Sequence, residues 1–219
     1  MKRHLSLFLC LLFFFETVFI SHAFGDEILE NTPFIAAFSN STDYTGVPKI
    51  GANAAIVMDA ESGRVLFEKN AYSKLPMAST TKIMTAIVAL EQGNLDDIVV
   101  VSKRAAGIGG STINLKTGQK IILRDLLYGL MLNSGNDAAI AIAEHIGGTV
   151  ENFAEMMNKK AVEIGALDTS FKSPHGLDMD GHYSTAYDLA VIAAYALKNP
   201  VFAEIVRTKH ASIGNTTLN

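Results

Sequence analysis

The sequence predicts an α+β fold in which a β-hairpin precedes a mainly helical lobe. Its 219 residues suffice for one substantial domain, and a content of 49% hydrophobic and 18% charged residues excludes a wholly disordered chain. Strand-like patterning comes first along the chain, and helical periodicity dominates after it. The net charge of −4 gives no general reason to bind nucleic acid or an anionic membrane surface, so we expect neither partner.

The chain begins with the pattern of an export signal. Residues 1–4 are a short basic start, residues 5–20 are almost continuously apolar, and Ser21-His22-Ala23 supplies the small residues that a signal peptidase reads. We therefore expect a signal peptide over residues 1–23 and an exported, extracytoplasmic product. A retained membrane anchor is the alternative, but the apolar run is short for a bilayer span and Glu16 would be costly there.

The expected mature chain contains no cysteine, because Cys10 is the only one and lies inside the signal. Disulfides, Cys–His catalysis and thiolate metal sites are thereby excluded. Residues 24–49 show turn-like clusters and no sustained period, so we interpret them as a leader segment. The domain itself is expected over residues 50–219.

The hairpin is predicted from two runs of β-branched and aromatic residues. These runs, 52–59 and 64–69, flank the turn Ala60-Glu61-Ser62-Gly63. Two strands alone are marginally stable, so further strands or helices must cover them. Residues 98–101 form another short strand-like run.

Helices are predicted where apolar residues recur every three or four positions. The predicted bounds are 79–92, 124–132, 137–146, 151–164 and 185–197. Gly93-Asn94, Gly147-Gly148 and Asn199-Pro200 follow three of these segments and end them. Residues 105–119 are rich in Gly, Ser and Thr and show little periodicity, and residues 165–183 are predicted to form a loop.

Ser79 and Lys82 at the start of the first helix could carry chemistry. Their three-residue spacing puts a hydroxyl and an amine on one helix face, as a nucleophile beside a possible base. The alternative is a helix-capping serine and an exposed lysine. The positive end of the helix dipole disfavours an ammonium and lowers the pKa of Lys82, but a pKa near 7 requires further positive or desolvating groups.

Ser134-Gly135-Asn136 is a second candidate, in a break between two predicted helices. The Ser134 hydroxyl can relay a proton, and the Asn136 carboxamide can bind a substrate amide. Taken alone, the segment is also typical of a capping loop before a helix that starts at Asp137.

In this order and spacing, after a hairpin, the two motifs resemble the active-site serine enzymes that act on penicillin and on D-alanyl-D-alanine peptides. The chain is similar to the low-molecular-mass D-alanyl-D-alanine carboxypeptidases from about Ile50 to its end. Further segments that carry the resemblance are Ala54-Ala55-Ile56-Val57-Met58-Asp59, Ser62-Gly63-Arg64-Val65-Leu66, Asp125-Leu126-Leu127-Tyr128-Gly129-Leu130-Met131-Leu132, Pro174-His175-Gly176-Leu177 and His182-Tyr183-Ser184-Thr185-Ala186.

The resemblance implies a β-lactamase/transpeptidase-like fold and assigns roles to the two motifs. Ser79 is then the acylated nucleophile, Lys82 the general base, Ser134 a proton relay and Asn136 a substrate-amide contact. The implied partners are peptidoglycan stem peptides, which lose their terminal D-alanine, and β-lactams, which mimic the dipeptide. No metal or organic cofactor is implied.

His175 and His182 allow two alternatives. One is a Ser-His-Asp triad with Asp178 or Asp188. The other is a mononuclear metal site formed by His175, Asp178, Asp180 and His182. We favour neither, because Lys82 already offers a base at a defined spacing and the loop residues show no helical pairing of ligands.

The sequence departs from the family pattern at the third motif. In the family this motif is Lys-Thr-Gly on a strand well after the Ser-x-Asn loop. Lys116-Thr117-Gly118 comes before Ser134 instead, so we interpret it as a coincidence. We expect that the C-terminal strands of the antiparallel sheet, a second domain and a C-terminal membrane anchor are missing from these residues. By the resemblance, those strands also carry one backbone N–H of the oxyanion hole. Because losing one such donor costs about 100- to 1000-fold in turnover, we expect little or no carboxypeptidase activity.

Two further functions stay open at this point. One is a non-catalytic remnant that binds penicillin or peptidoglycan. The other is a class A β-lactamase-like hydrolase, although no Glu-x-x-Leu-Asn segment follows Ser134.

Overall fold

The structure, a computed structural model, describes residues 49–213 and 216–218. The signal peptide predicted over 1–23 and nearly all of the leader predicted over 24–49 lie outside the described residues. The elements in order are β1 (Ala55–Met58), β2 (Val65–Lys69), a 3₁₀ turn (Ala78–Thr80), α1 (Thr81–Gln92), β3 (Ile98–Val100), α2 (Lys103–Ala106), β4 (Lys120–Ile122), α3 (Leu123–Leu132), α4 (Asn136–Gly147), α5 (Val150–Glu163), α6 (Ala186–Leu197), α7 (Pro200–Arg207), β5 (Ala211–Ile213) and β6 (Thr216–Leu218).

The strands form three separate antiparallel pairs, β1 with β2, β3 with β4, and β5 with β6. The predicted hairpin is confirmed, with Ile56 opposite Glu68 and a bulge between Val57 and Met58. In the part of the chain that the structure describes, β1 and β2 pair only with each other. Val57 and Leu66 are each about half exposed, at 51% and 57%.

Two buried helices, α1 and α4, form the centre of the core. In α4 the six residues 138–143 (Ala-Ala-Ile-Ala-Ile-Ala) are all at most 1% exposed, so this helix is apolar on every side and must be enclosed. In α1 Met84, Ala86 and Ala89 are fully buried. Helices α3, α5 and α6 pack around this pair, which makes the ends of α1 and α4 rigid positions for functional side chains.

All five predicted helices are confirmed within one or two residues at each end, but α2 and α7 were missed. The Asn199-Pro200 pair, which the sequence predicts as a helix stop, does follow α6. It also starts α7, because the Asn199 side chain accepts hydrogen bonds from the amides of Val201 and Phe202, and Pro200 occupies the first helical position.

A transmembrane helix needs about 20 consecutive, predominantly apolar residues. No single described helix is long and apolar enough to cross a membrane, and the pair α6 and α7, bent by 104°, qualifies only when its two members are counted together.

Candidate active site

Ser79 lies in the 3₁₀ turn that leads into α1, one residue after a strained position. Ala78 has a left-handed backbone with φ of +45°, which costs an alanine about 1–2 kcal/mol. The residue that caps α1 is Thr80, and no side chain makes the capping hydrogen bond. Ser79 is exposed whereas Lys82 is 2% exposed. The alternative of a capping serine and an exposed lysine is therefore wrong.

The amine of Lys82 is the centre of the site. Its Nζ donates to Ser79 Oγ at 3.2 Å, to Asn136 Oδ1 at 2.8 Å and to the backbone carbonyl of His175 at 2.8 Å. These three contacts use all three donors of an ammonium. The structure thus brings Ser79, Lys82 and Asn136 together.

Burial lowers the pKa of Lys82 from 10.5 to about 8. The helix dipole alone does not lower the pKa of Lys82 this far, and enclosure between α1, α4 and the loop at His175 supplies the further desolvation. A pKa of about 8 leaves a usable fraction of neutral amine near neutral pH, as a general base requires.

Ser134 reaches the same hydroxyl from the break between α3 and α4. Its Oγ donates to Ser79 Oγ at 2.9 Å, and its backbone is left-handed with φ of +54°. The backbone around it is held by hydrogen bonds from Gly135 N to the carbonyl of Gly129 and from Asn136 N to the carbonyl of Ser111. Ser79 Oγ therefore lies between an amine and a second hydroxyl.

Asn136 is the first residue of α4 and is 4% exposed. Its Oδ1 accepts from Lys82, and its Nδ2 donates to the carbonyl of Gly109 at 2.8 Å. The next residue, Asp137, accepts from the amides of Ile113 and Leu115 and so holds the segment that includes Gly109 near the site. Both ends of the Asn136 carboxamide are thus bound within the protein, and its contact with a substrate amide stays a prediction.

The loop over residues 172–182, which we call the 172–182 loop, contributes contacts that the sequence argument missed. The carbonyl of Pro174 accepts from Thr85 Oγ1 at 2.7 Å, and the carbonyl of His175 accepts from Lys82. A backbone carbonyl has no side-chain signature. The one available signal was the Pro174-His175-Gly176-Leu177 segment of the family resemblance.

The two histidines of this loop make contacts other than those of a catalytic triad. His175 Nδ1 accepts from the amide of Leu177 at 3.1 Å, and burial with the nearby charge of Lys82 lowers the pKa of its ring to about 4. His182 contacts Lys172 N and Thr81 Oγ1. The carboxylate of Asp188 instead accepts from the amide of Asp168 and the hydroxyl of Thr169.

One other feature of the sequence also has a place in the structure. Lys116, Thr117 and Gly118 lie in an exposed turn before β4, where Gly118 has φ of +79° and donates its amide to the carbonyl of Val101.

Across the described ranges, 49–213 and 216–218, no group of three or more His, Cys, Asp and Glu side chains is arranged to hold a metal ion.

Comparisons with known proteins identify the family of the chain. The family model described as D-alanyl-D-alanine carboxypeptidase matches residues 41–219. The D-alanyl-D-alanine carboxypeptidase DacF of Bacillus subtilis is 45% identical over 152 residues, which are 67% of this chain and 39% of that protein.

Two solved structures are similar over most of the chain. The crystal structure of a D-alanyl-D-alanine carboxypeptidase from Mycobacterium tuberculosis matches with a TM-score of 0.75 and 37% identity, covering 80% of this chain and 67% of that one. Penicillin binding protein 6B from Escherichia coli matches with a TM-score of 0.74 and 36% identity, covering 78% and 58%. The predicted transpeptidase-like fold is thereby confirmed.

The chain spans about two fifths of the length of the curated relatives that it matches first, at 39%, 39% and 40%. Within that span the family match includes the nucleophile turn, the start of α4 and the 172–182 loop, which together build the site around Lys82. The chain belongs to the D-alanyl-D-alanine carboxypeptidase family.

Proposed function

We propose that this protein is an exported serine-type carboxypeptidase that removes the terminal D-alanine from peptidoglycan stem peptides through an acyl-enzyme on Ser79. The observation that carries the proposal is the position of Ser79 Oγ between the Lys82 amine and the Ser134 hydroxyl. Family membership favours this reaction over the β-lactamase-like alternative. Export rests on the signal pattern of residues 1–23, and the catalytic domain is assigned to residues 50–219.

Neutral Lys82 is oriented to act as the base. A neutral amine has two N–H groups and one lone pair, and Asn136 Oδ1 and the His175 carbonyl accept from those two N–H groups at 2.8 Å each. The lone pair then faces Ser79 Oγ at 3.2 Å. Acceptors at two of the three positions thus aim the remaining one at the nucleophile.

In the acylation step, Lys82 takes the proton of Ser79 as Oγ bonds to the carbonyl carbon of the penultimate D-alanine. When the tetrahedral intermediate collapses, its bond to the nitrogen of the terminal D-alanine breaks. The Ser134 hydroxyl, which lies 2.9 Å from Ser79 Oγ, gives a proton to that nitrogen and takes one from the Lys82 ammonium, so free D-alanine leaves. Water then adds to the ester carbonyl, releasing the shortened peptide and restoring the Ser79 hydroxyl.

A β-lactam follows the first half of this route. Attack by Ser79 Oγ opens the four-membered ring, and the ring nitrogen takes the proton but stays attached to the acyl group. No leaving group departs, so the covalent adduct occupies the site.

Release of D-alanine from diacetyl-lysyl-D-Ala-D-Ala tests the proposed reaction. We expect slow release by the wild-type chain, because the Lys-Thr-Gly motif precedes Ser134 instead of following it, and no release by Ser79→Ala. A matched control is Ser62→Ala, which removes a serine from the exposed turn of the hairpin and should leave release unchanged. Release that is equal in the wild type and Ser79→Ala would contradict the proposal.

A further inference from the structure

The 172–182 loop contacts α1 through the His182 side chain as well as through the carbonyls of Pro174 and His175. His182 Nε2 lies 2.9 Å from Thr81 Oγ1, although the residues are 101 positions apart. Thr81 stands between Ser79 and Lys82 in the sequence and is the first residue of α1. Both partners are buried, with Thr81 at 0% and His182 at 4% exposed.

The hydrogen bonds of the His182 ring fix which nitrogen carries the proton. The amide of Lys172 donates to Nδ1 at 3.0 Å, so Nδ1 has no proton and Nε2 carries it. The Nε2–H group therefore donates to Thr81 Oγ1. Burial lowers the pKa of His182, which favours this neutral form.

The ring itself has little freedom to turn. It meets the ring of Phe171 edge-on, with centroids 6.1 Å apart and an interplanar angle of 67°. Phe171 is in turn fixed by Asn158 on α5, whose carboxamide accepts from the Phe171 amide at 2.7 Å and donates to its carbonyl at 2.9 Å. The donor that reaches Thr81 is thus anchored to a core helix.

The other side of Thr81 is equally confined. Gly176 has φ of +86°, and a Cβ there would lie 2.8 Å from Thr81 Oγ1 and would overlap the carbonyl of Ala78. The left-handed Ala78 and the first residue of α1 are therefore packed directly against the backbone of the 172–182 loop.

We propose that His182 is a positioning residue, which sets the distance between Ser79 and Lys82 by holding the Thr81 hydroxyl through Nε2–H. The joint between the 3₁₀ turn and α1 falls between the two reacting groups, and a free Thr81 would let the turn rotate against the helix. A displacement of about 1 Å at a reacting group costs on the order of 100-fold in rate. The catalytic consequence rests on the proposed function.

Two matched pairs of substitutions separate positioning from general support. Thr81→Val keeps the shape and removes the hydroxyl, whereas Thr81→Ser keeps the hydroxyl. His182→Asn keeps an acceptor near Nδ1 for Lys172, whereas His182→Gln keeps a donor near Nε2 for Thr81. If His182 and Thr81 only stabilise the fold, the loss of acylation rate in each variant should follow its loss of melting temperature. If they position the site, the loss of rate should occur only in the variants that lack the Nε2–Oγ1 hydrogen bond.

Two readouts on the full chain test the proposal. The first is the second-order rate constant for acylation by a labelled penicillin, and the second is the pKa of Lys82 from the ¹³Cε resonance. We expect Thr81→Val and His182→Asn to slow acylation by about tenfold or more and to raise the pKa of Lys82 toward its ordinary value as the amine loosens. Thr81→Ser and His182→Gln should stay within about threefold of the wild type.

Unchanged acylation and an unchanged Lys82 pKa in Thr81→Val would overturn the proposal. Nitrogen-15 spectra of histidine-labelled wild type give a direct check without substitutions, since the Nε2–H tautomer is expected and an Nδ1–H tautomer of His182 would also overturn it. A wild-type chain that no penicillin acylates would defeat the proposed function instead, and the Lys82 pKa comparison would still decide the role of His182.

Discussion

The Nζ of Lys82 donates to the backbone carbonyl of His175 at 2.8 Å, although the two residues are 93 positions apart. This contact joins the candidate base on α1 to the backbone of the 172–182 loop. Together with Asn136 Oδ1 it occupies two hydrogen-bonding positions of the amine. The distant loop therefore decides where the third position points.

The rate of acylation should rise with pH through about 8. Burial lowers the pKa of Lys82 to about 8, and only the neutral amine can accept the Ser79 proton. We expect the rate constant for labelled penicillin to rise about tenfold per pH unit well below that value and to level above about 9. A profile that is flat or falls between pH of about 6 and about 10 would contradict Lys82 as the base.

Replacing Asn136 by aspartate should move this profile to higher pH. The substitution puts a carboxylate beside Nζ, where the carboxamide oxygen is now 2.8 Å away, and an opposite charge raises the pKa of an amine. Acylation near neutral pH should therefore slow more than acylation at high pH. Asn152→Asp on α5 is the control, because it also removes an amide donor from a backbone carbonyl, that of Gly147. Equal midpoints for wild type and Asn136→Asp would refute the electrostatic coupling.

Lys82→Met should abolish acylation, and its unfolding free energy compared with that of the wild type should measure the cost of burying the amine. The folded-state pKa of about 8 lies below the ordinary 10.5, so the unfolded chain binds more protons between these values and stability rises with pH there. The unfolding free energy of the wild type relative to Lys82→Met should increase by about 3 kcal/mol across this window. Denaturant titrations at both ends measure it, and a constant difference would show that the amine is not desolvated.

Gly176→Ala should cost more stability and activity than the same change at Gly165. Both glycines are left-handed, with φ of +86° and +89°, so each substitution carries about 1–2 kcal/mol of backbone strain. At Gly176 the new Cβ would also overlap the carbonyl of Ala78, whereas at Gly165 it meets nothing within 4 Å. Melting temperatures and penicillin acylation rates of the two variants compare them directly. Equal losses would mean that the close approach to Ala78 is unimportant.

The site residues that sequence reasoning found are those whose signal is local. Ser79 and Lys82 are three positions apart at a predicted helix start, and Ser134 stands in a visible break between two helices, so spacing alone drew attention to them. The strength of the assignment came from the family resemblance around them. The spacing did not reveal that Ser79 sits in a 3₁₀ turn rather than in the helix.

Some of the missed parts depend on partners distant in the sequence, and others are too short to show a period. The strand β4 has three residues and is defined by pairing with β3, from Ile98 opposite Ile122 to Val100 opposite Lys120, so periodicity cannot mark it. The strands β5 and β6 pair locally, with Ile213 opposite Thr216, but each has only three residues and so shows no period either. The His175 carbonyl and the His182–Thr81 hydrogen bond exist only once the 172–182 loop folds against α1.

Intact-protein mass spectrometry after incubation with benzylpenicillin, followed by peptide mapping, tests the assignment of Ser79 as the nucleophile most directly. The structure places Ser79 Oγ within 3.2 Å of the Lys82 amine and 2.9 Å of the Ser134 hydroxyl. The predicted result is a single covalent adduct, located on Ser79 in the wild-type chain and absent from Ser79→Ala. An adduct that persists in Ser79→Ala, or a wild-type chain that forms none, would contradict the assignment.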